Sequence, residues 1–109
     1  MKYHNIKTTI DNVKFDSKAE ANRYLELKML LKTKKISELE LQPKFLLQNK
    51  FVDLKGIKHG AITYVADFSY DEDGRAIVED VKGMLTPVYK LKKKLFLYAY
   101  PIYDFREIS

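Results

Sequence analysis

The segment AIVEDVKG, at residues 76–83, combines the pattern of a strand with three charged side chains. Its β-branched residues and its closing glycine predict a strand. Side chains alternate between the two faces of a strand, so Asp80 and Lys82 share one face while Glu79 and Val81 share the other. An acid and an amine on one face of an otherwise apolar strand are groups from which a charged chemical site can be built.

A second carboxylate, that of Asp67, lies in the strand pattern at residues 61–70. Alternation separates an apolar face, formed by Ile62, Tyr64, Ala66, Phe68 and Tyr70, from a face that holds Thr63, Val65, Asp67 and Ser69. Residues 71–74 form a turn, so the hairpin brings Asp67 within a residue or two of the register of Asp80. Two close carboxylates repel each other. Lys82 offsets one of the two negative charges, and a divalent cation such as Mg²⁺ would offset the rest.

An exposed ion pair is the alternative interpretation of Asp80 and Lys82, and such a pair contributes little to stability. Three features favour a site instead. The pair lies among β-branched residues, Asp67 occupies the adjoining strand, and Gly83 is followed by a capped basic helix.

Glu20 is a third candidate carboxylate, near the start of a helix predicted at residues 17 to about 32. Helical spacing places it at the head of an apolar stripe that continues through Tyr24, Leu27 and Leu31. Alternatively, Ser17 and Glu20 form a capping box, which would already engage the carboxylate. Spacing alone favours neither alternative for Glu20. Glu26 lies on a different side of the helix and is expected to be solvated.

The elements that must position these groups form a single domain over residues 1–109. The sequence predicts a hairpin at 8–15, the first helix, extended segments at 36–41 and 44–54, the hairpin at 61–82, a second helix and a last strand at 101–108. Such an order predicts an α+β fold with a mixed sheet flanked by two helices.

The second helix begins at Thr86 and Pro87, which are favoured start residues, and continues to about Tyr98. Helical spacing predicts that one face packs on the sheet, namely Val88, Leu91, Leu95 and Tyr98. Four lysines surround the opposite side, namely Lys90, Lys92, Lys93 and Lys94. Beside the acidic site they are interpreted as contacts to DNA phosphates, and the alternative is an ordinary solvated helix face.

Composition limits the other classes of function. The net charge of +5 suits a polyanionic partner, and the absence of cysteine excludes disulfides and thiolate zinc sites. His4 and His59 lack partners at metal-ligand spacing. No apolar run could cross a bilayer and the start of the chain lacks the pattern of a signal peptide, so we expect a cytoplasmic protein with no membrane partner. We also expect no nucleotide cofactor.

In their order, these residues resemble the PD-(D/E)XK nuclease superfamily: a Glu in the first helix, Asp67 in a strand, Asp80-Val81-Lys82 in the next, then a helix and a strand. Five segments, FDSKAEANRYLELK, LQPKF, YVADF, VEDVKG and YKLKKKLFLYAYP, more closely resemble a small phage and prophage family catalogued as a domain of unknown function. Ala66 stands where the superfamily name has proline, a replacement that is frequent there.

The resemblance implies a restriction-endonuclease-like core and a role for each residue. Asp67 and Asp80 would bind Mg²⁺, or Mn²⁺ in its place, with the Val81 carbonyl and Glu20 completing the shell. Lys82 would stabilise the attacking hydroxide or the charge that develops on the phosphate. Gln42, in LQPKF, would hydrogen-bond near the site, although a Gln before Pro is usually a bend residue.

Three functions follow as hypotheses. The first is a phage-type, Mg²⁺-dependent endonuclease in DNA recombination, repair or processing, acting on branched or junction DNA and working in the host cytoplasm. Domains of this size often cut duplexes as homodimers. The second is a non-catalytic DNA-binding module on the same fold, and the third is a scaffold protein whose acids are surface charges.

Overall fold

Ten strands and two helices occupy residues 7–82 and 85–109, the part of the chain that the computed structural model describes. In chain order they are β1 Thr8–Ile10, β2 Val13–Phe15, α1 Lys18–Lys32, β3 Ser37–Leu41, β4 Lys44–Gln48, β5 Phe51–Val52, β6 Lys58–His59, β7 Ile62–Val65, β8 Phe68–Glu72, β9 Arg75–Val81, α2 Pro87–Ala99 and β10 Asp104–Ile108. The α+β class with a mixed sheet and two helices is confirmed. His4 and Gly83 lie outside the described residues.

Local signals set the ends of the first elements as predicted. Asp11 and Asn12 both have positive φ, 53° and 64°, which a two-residue hairpin turn between β1 and β2 requires. Ser17 caps α1, because its Oγ accepts the Glu20 N–H at 3.1 Å. Thr86 caps α2 in the same way by accepting the Tyr89 N–H at 3.1 Å.

The main sheet has four strands in the order β10-β9-β8-β3. β3, β8 and β9 are antiparallel neighbours, and β10 pairs parallel to β9 because α2 carries the chain back along the sheet. Asp73 and Gly74, with φ of 51° and 77°, form the tight turn between β8 and β9. This turn sets the register of the two strands that carry the acidic residues.

Two cores cover opposite faces of this sheet, and consecutive residues of β9 divide between them. Ile77 packs in the first core with α1, and Val78 packs in the second core with α2. The other buried members of the first core are Phe15, Ala21, Tyr24, Leu27, Ile36, Phe68 and Tyr70. Those of the second are Phe45, Tyr64, Ala66, Tyr89 and Phe96, five residues of which four are aromatic.

The strand predicted at residues 61–70 is two strands, so the predicted division of its faces is wrong. β7 ends at Val65 and β8 begins at Phe68. Tyr64 and Ala66 lie in the second core, whereas Phe68 and Tyr70 lie in the first. The break between β7 and β8 reverses the alternation, which is why an unbroken apolar pattern in sequence serves two different cores.

The predicted packing face of α2 is also wrong. Its four residues are exposed, with relative accessibilities of 63% for Val88, 59% for Leu91, 37% for Leu95 and 88% for Tyr98. Tyr89 and Phe96, which are not on the predicted face, are buried instead. Phe96 fits among aromatic rings of the second core, including Phe45 at 4.8 Å between centroids. Ring packing rather than aliphatic periodicity therefore orients this helix.

Residues 44–65 form a long antiparallel hairpin, here named the hairpin arm. Its base is the β4–β7 pair and its outer part is the β5–β6 pair. Tyr100 stabilises the base by donating a hydrogen bond to the Leu46 carbonyl at 2.8 Å. Within the described residues, no helix is long and apolar enough to cross a membrane.

Candidate active site

Asp67 and Asp80 are brought to the same face of the sheet, on neighbouring strands. Phe68 pairs with Glu79 in the antiparallel register, so the next pair outward is Asp67 with Asp80. The Asp67 backbone N–H donates to the Glu79 carbonyl at 3.1 Å, which extends the ladder to this point. The Asp67 Oδ2 accepts the Val81 N–H at 2.6 Å, so its carboxyl lies against the D-x-K strand.

The Asp80 carboxylate is buried, with 1% of the residue accessible. Its Oδ2 accepts a hydrogen bond from the Tyr64 hydroxyl. Its Oδ1 lies 2.9 Å from the Lys82 Nζ, close enough for an ion pair, but the angle is not that of a hydrogen bond. Oδ1 is the one buried side-chain polar atom among the described residues that lacks a hydrogen-bond partner. An anionic oxygen left in this condition is suited to accept a cation.

Glu20 approaches the same site from α1. It is 7% accessible, and the charges of Asp80 and Lys82 act on its carboxyl. Burial raises its pKa, followed by repulsion from Asp16 and Asp80. The Ser17 Oγ accepts the Glu20 N–H, but within the described residues the Glu20 carboxylate accepts no hydrogen bond. Half of the capping box is therefore formed, and the Glu20 side chain is directed to the acidic site.

The electrostatics of the site centre on Asp67. Burial, and next the charge of Asp80, raise the pKa of the Asp67 carboxyl to about 8, despite the Val81 N–H that favours its ionised form. Glu20 adds to this repulsion. Asp67 and Asp80 thus repel each other, with Glu20 adding to the repulsion, and binding of a proton or a cation relieves it.

Two tyrosines belong to the site although the sequence pattern did not indicate them. Tyr64 holds Asp80 by its hydroxyl, and burial raises the pKa of that hydroxyl, with the Asp80 hydrogen bond acting in the same direction. Tyr89 places its ring 4.5 Å from the Lys82 Nζ, a cation–π contact. The sequence pattern places Tyr64 on the wrong face, because it does not reveal the break between β7 and β8. It does not indicate Tyr89, because aliphatic spacing predicts a different packing face for α2.

The described acids do not form a group of three or more that is already arranged around a metal position. The side chains present nevertheless fit a hard divalent cation, because the buried Asp80 Oδ1 accepts no hydrogen bond and the half-buried Asp67 carboxyl contacts the same strand. An incoming cation would compete with Lys82 for this oxygen.

The profile of a family described as a protein of unknown function, DUF1064, matches residues 1–108. The chain belongs to the DUF1064 family. No curated protein and no solved structure gives a significant match.

The four lysines of α2 do not act as one surface in this DUF1064 protein. Lys92 lines a surface cavity together with Lys82, Thr63 and Thr86, next to the acidic site. Lys93 pairs with Glu107 at 3.1 Å, and Glu107 also accepts the Tyr89 hydroxyl. Lys90 and Lys94 are exposed. Lys92 is therefore the lysine of this helix best placed to meet a phosphate at the site.

Gln42 lies beside Asp67, but through its backbone. Its N–H donates to the Asp67 carbonyl at 2.9 Å, its φ is 51°, and its side chain is exposed. In the DUF1064 fold this residue forms the bend between β3 and β4. His59 pairs with Asp53 at 2.8 Å in the hairpin arm, remote in sequence from the acidic cluster.

Glu79, next to Asp80, has a structural role on the opposite face. Arg23 binds it with two hydrogen bonds, of 2.8 and 2.6 Å, and the Tyr70 hydroxyl donates to it as well. A buried bidentate pair of this kind fastens α1 to β9. It thereby holds Glu20, three residues before Arg23, at the edge of the site.

Proposed function

We propose that this protein is a metal-dependent endodeoxyribonuclease that hydrolyses phosphodiester bonds with Mg²⁺, or with Mn²⁺ in its place. The observation that carries the proposal is the buried Asp80 Oδ1, which accepts no hydrogen bond and lies 2.9 Å from the Lys82 Nζ, beside the point where the Asp67 carboxyl contacts β9. Two carboxylates and a lysine in one buried place are the groups that metal-assisted phosphate hydrolysis needs.

Asp67, Asp80 and Glu20 would hold the cation, with the Val81 carbonyl as a further ligand. A bound divalent cation supplies an acidified water and withdraws charge from the phosphate. Tyr64 keeps Asp80 in place by its hydrogen bond, and the burial of Asp80 and Glu20 makes cation binding more favourable than it would be in water.

Lys82 would stabilise the negative charge that develops during attack on the phosphate. Its ammonium group lies beside Asp80 and over the Tyr89 ring, so its position is restrained from two sides. Lys92, in the adjoining cavity, would bind a neighbouring phosphate of the DNA.

The order of elements supports membership of the PD-(D/E)XK superfamily and a restriction-endonuclease-like core. Glu20 is on α1, Asp67 precedes β8, the D-x-K residues lie at the end of β9, and α2 and the parallel strand β10 follow. The resemblance to phage proteins favours a role in recombination, repair or DNA processing, on branched or junction DNA, in the host cytoplasm. A homodimer would allow two such sites to cut both strands of a duplex.

The test is a cleavage assay on duplex, single-stranded, flap and four-way junction DNA with Mg²⁺ or Mn²⁺. We expect cleavage of at least one substrate and a loss of about 100-fold or more in Asp80→Asn and in Lys82→Ala, because each removes a group that stabilises charge. Asp71→Asn, an exposed acid on β8, is the matched control and should retain full activity. Full cleavage by Lys82→Ala would remove the lysine from the mechanism.

The alternative, a DNA-binding module without catalysis, is favoured by one observation. Within residues 7–82 and 85–109 no three acids surround a ready metal position, and Lys82 instead pairs with Asp80. The two functions differ in their response to metal. Stabilisation by Mn²⁺ in a thermal shift assay, abolished in Asp80→Asn, supports the nuclease, whereas DNA binding with no metal response supports the module.

A further inference from the structure

The hairpin arm projects from the body of the protein. The radius of gyration is 16.0 Å and the longest dimension is 54 Å, whereas a compact chain of this length has a radius of gyration of about 13 Å. Large apolar side chains near its end are open to solvent, with accessibilities of 60% for Val52, 102% for Leu54 and 55% for Ile57. An apolar end exposed in this way indicates a surface that contacts another molecule.

The arm carries a large share of the positive charge of the protein. It contains four lysines and one aspartate, a net charge of +3, while the whole chain has +5. The one aspartate, Asp53, is engaged in the turn, since its carboxylate accepts the N–H groups of Lys55 and Ile57 and pairs with His59. No ion pair within the described residues engages Lys50, Lys55 or Lys58, whose side chains extend into solvent.

The base of the arm is attached directly to the acidic site. The Ala66 N–H donates to the Pro43 carbonyl at 3.0 Å, and the Gln42 N–H donates to the Asp67 carbonyl at 2.9 Å. The arm is therefore an outward continuation of the β3–β8 pair from Asp67. β4 and β5, with the two residues between them, cover residues 44–52. At the rise of a strand these nine residues reach at most about 30 Å, which is close to the ~34 Å of one helical turn of DNA.

We propose that the hairpin arm is a second DNA-binding element, which contacts DNA about one helical turn from the acidic site. The lysines bind phosphates, and the side chains of Leu54 and Ile57 make apolar contacts with the bases. A two-stranded ribbon fits the major groove, and apolar side chains inserted between base steps are a known mode of DNA contact. The proposal rests on the proposed function in that the partner of the acidic site is DNA.

The charges favour DNA over a protein partner for this surface. Lysine is depleted in protein–protein interfaces, because it loses its hydration there without a matching gain. On DNA the same side chains release counterions from the phosphates, which makes the binding favourable and salt-dependent. Alternation of Lys50, Lys55 and Lys58 with exposed apolar residues provides both kinds of contact in one short ribbon.

The experiment measures the affinity of the full chain for a 30-base-pair duplex and a four-way junction, with Ca²⁺ in place of Mg²⁺, over a range of salt concentration. One variant combines Lys50→Gln, Lys55→Gln and Lys58→Gln. We expect its affinity to fall at least tenfold, and the slope of log Kd against log salt to decrease by about 2 to 3.

A matched control removes three exposed lysines at the end of α1, by Lys32→Gln, Lys34→Gln and Lys35→Gln. The net charge of the control equals that of the arm variant, and we expect its affinity to change less than twofold. An equal loss in the control and the arm variant would overturn the proposal, because net charge alone would then explain the binding.

The apolar tip is tested by the double variant Leu54→Ser with Ile57→Ser. We expect a loss of affinity with an unchanged salt slope, because these side chains contact bases and not phosphates. Circular dichroism and thermal melting establish that the fold is retained. Conversion of a dimer into a monomer by this variant, with DNA affinity preserved, would show that the arm binds a second copy of the chain and would overturn the proposal.

Failure of the arm and failure of the proposed function give different results. Metal-dependent cleavage by the native chain with normal DNA affinity in both arm variants would refute the arm proposal alone. Arm-dependent DNA binding without cleavage of any substrate would support the arm and refute the nuclease. A native chain that neither binds nor cuts any of these DNAs would refute both.

Discussion

At the scale of single residues, the site is a balance of repulsion and restraint. The charges of Asp67 and Asp80 act on each other, Tyr64 holds one oxygen of Asp80, and Lys82 neutralises part of the charge. A pair of acids held together in this way stores unfavourable electrostatic energy that a ligand can relieve. Glu79, on the opposite face, differs from this pair. Its buried carboxylate accepts a hydrogen bond from Arg23 at each of its two oxygens.

The raised pKa of Asp67 predicts how the stability of the metal-free protein depends on pH. The pKa is about 8 in the folded state and 3.8 in a reference peptide. Between these values the folded state binds more protons than the unfolded state, so the free energy of unfolding falls as pH rises from about 4 to about 8. In Asp67→Asn the free energy of unfolding should fall less over this pH range. At pH values above 8 the variant should have a higher melting temperature than the native chain.

Thermal melting in EDTA at several pH values checks this prediction, with Asp71→Asn as the control. A native chain whose stability does not fall between pH 5 and 8, or an Asp67→Asn variant with the same fall, would contradict it. Addition of Mn²⁺ at pH 8 should stabilise the native chain more than the variant, since the cation takes the place of the proton.

At the scale of elements, α2 shows that two apolar patterns can coexist on one helix. The aliphatic residues have the regular spacing, but the aromatic residues Tyr89 and Phe96 are the ones in the core. Rings from β4, β10 and the segment after α2 surround Phe96, and only their joint presence identifies the buried face. The aliphatic face of α2 is left exposed.

The orientation of α2 predicts a large contrast between two substitutions. Phe96→Ala should lower the free energy of unfolding by about 3–5 kcal/mol, because it leaves a cavity in a fully buried place. Leu91→Ala, at 59% accessibility, should change it by no more than about 0.5 kcal/mol. Urea denaturation of the two variants measures both values. A larger loss of stability in Leu91→Ala than in Phe96→Ala would contradict this orientation and support the packing face that aliphatic spacing predicts.

At the scale of the whole molecule, a compact body carries a projecting arm. The two cores lie on either side of the four-stranded sheet, and the residues of the outer arm belong to neither. Only the base of the arm, with Phe45, Leu47 and Tyr64, packs in the second core. The body should therefore fold without the outer arm.

Shortening the arm tests this independence. Gln48 and Ile62 are opposite each other in the β4–β7 register, so residues 49–61 can be replaced by Asn-Gly, which favours a two-residue hairpin turn. We expect the melting temperature to change by only a few degrees and the radius of gyration to fall toward about 13 Å. Small-angle X-ray scattering measures the second quantity. A variant that unfolds would show that the arm is part of the cooperative unit.

Features that depend on neighbours along the chain can be predicted from the amino-acid sequence. Caps at Ser17 and Thr86 set the helix starts, turn residues such as Asp73 and Gly74 set the hairpins, and strand alternation placed Asp80 and Lys82 together. These signals are local, because each depends on backbone geometry within a few residues. The proximity of Asp67 and Asp80 follows from them, since a tight turn fixes the register of the strands it joins.

Which faces are buried, and which side chains support the site, depends on how the elements pack against one another. The break between β7 and β8 carried Tyr64 to the Asp80 side, and ring packing around Phe96 rotated α2 so that Tyr89 covers Lys82. Both outcomes depend on contacts between residues distant in the chain. A periodic pattern indicates that one face of an element is apolar. Which other element packs on that face is decided by the assembled structure.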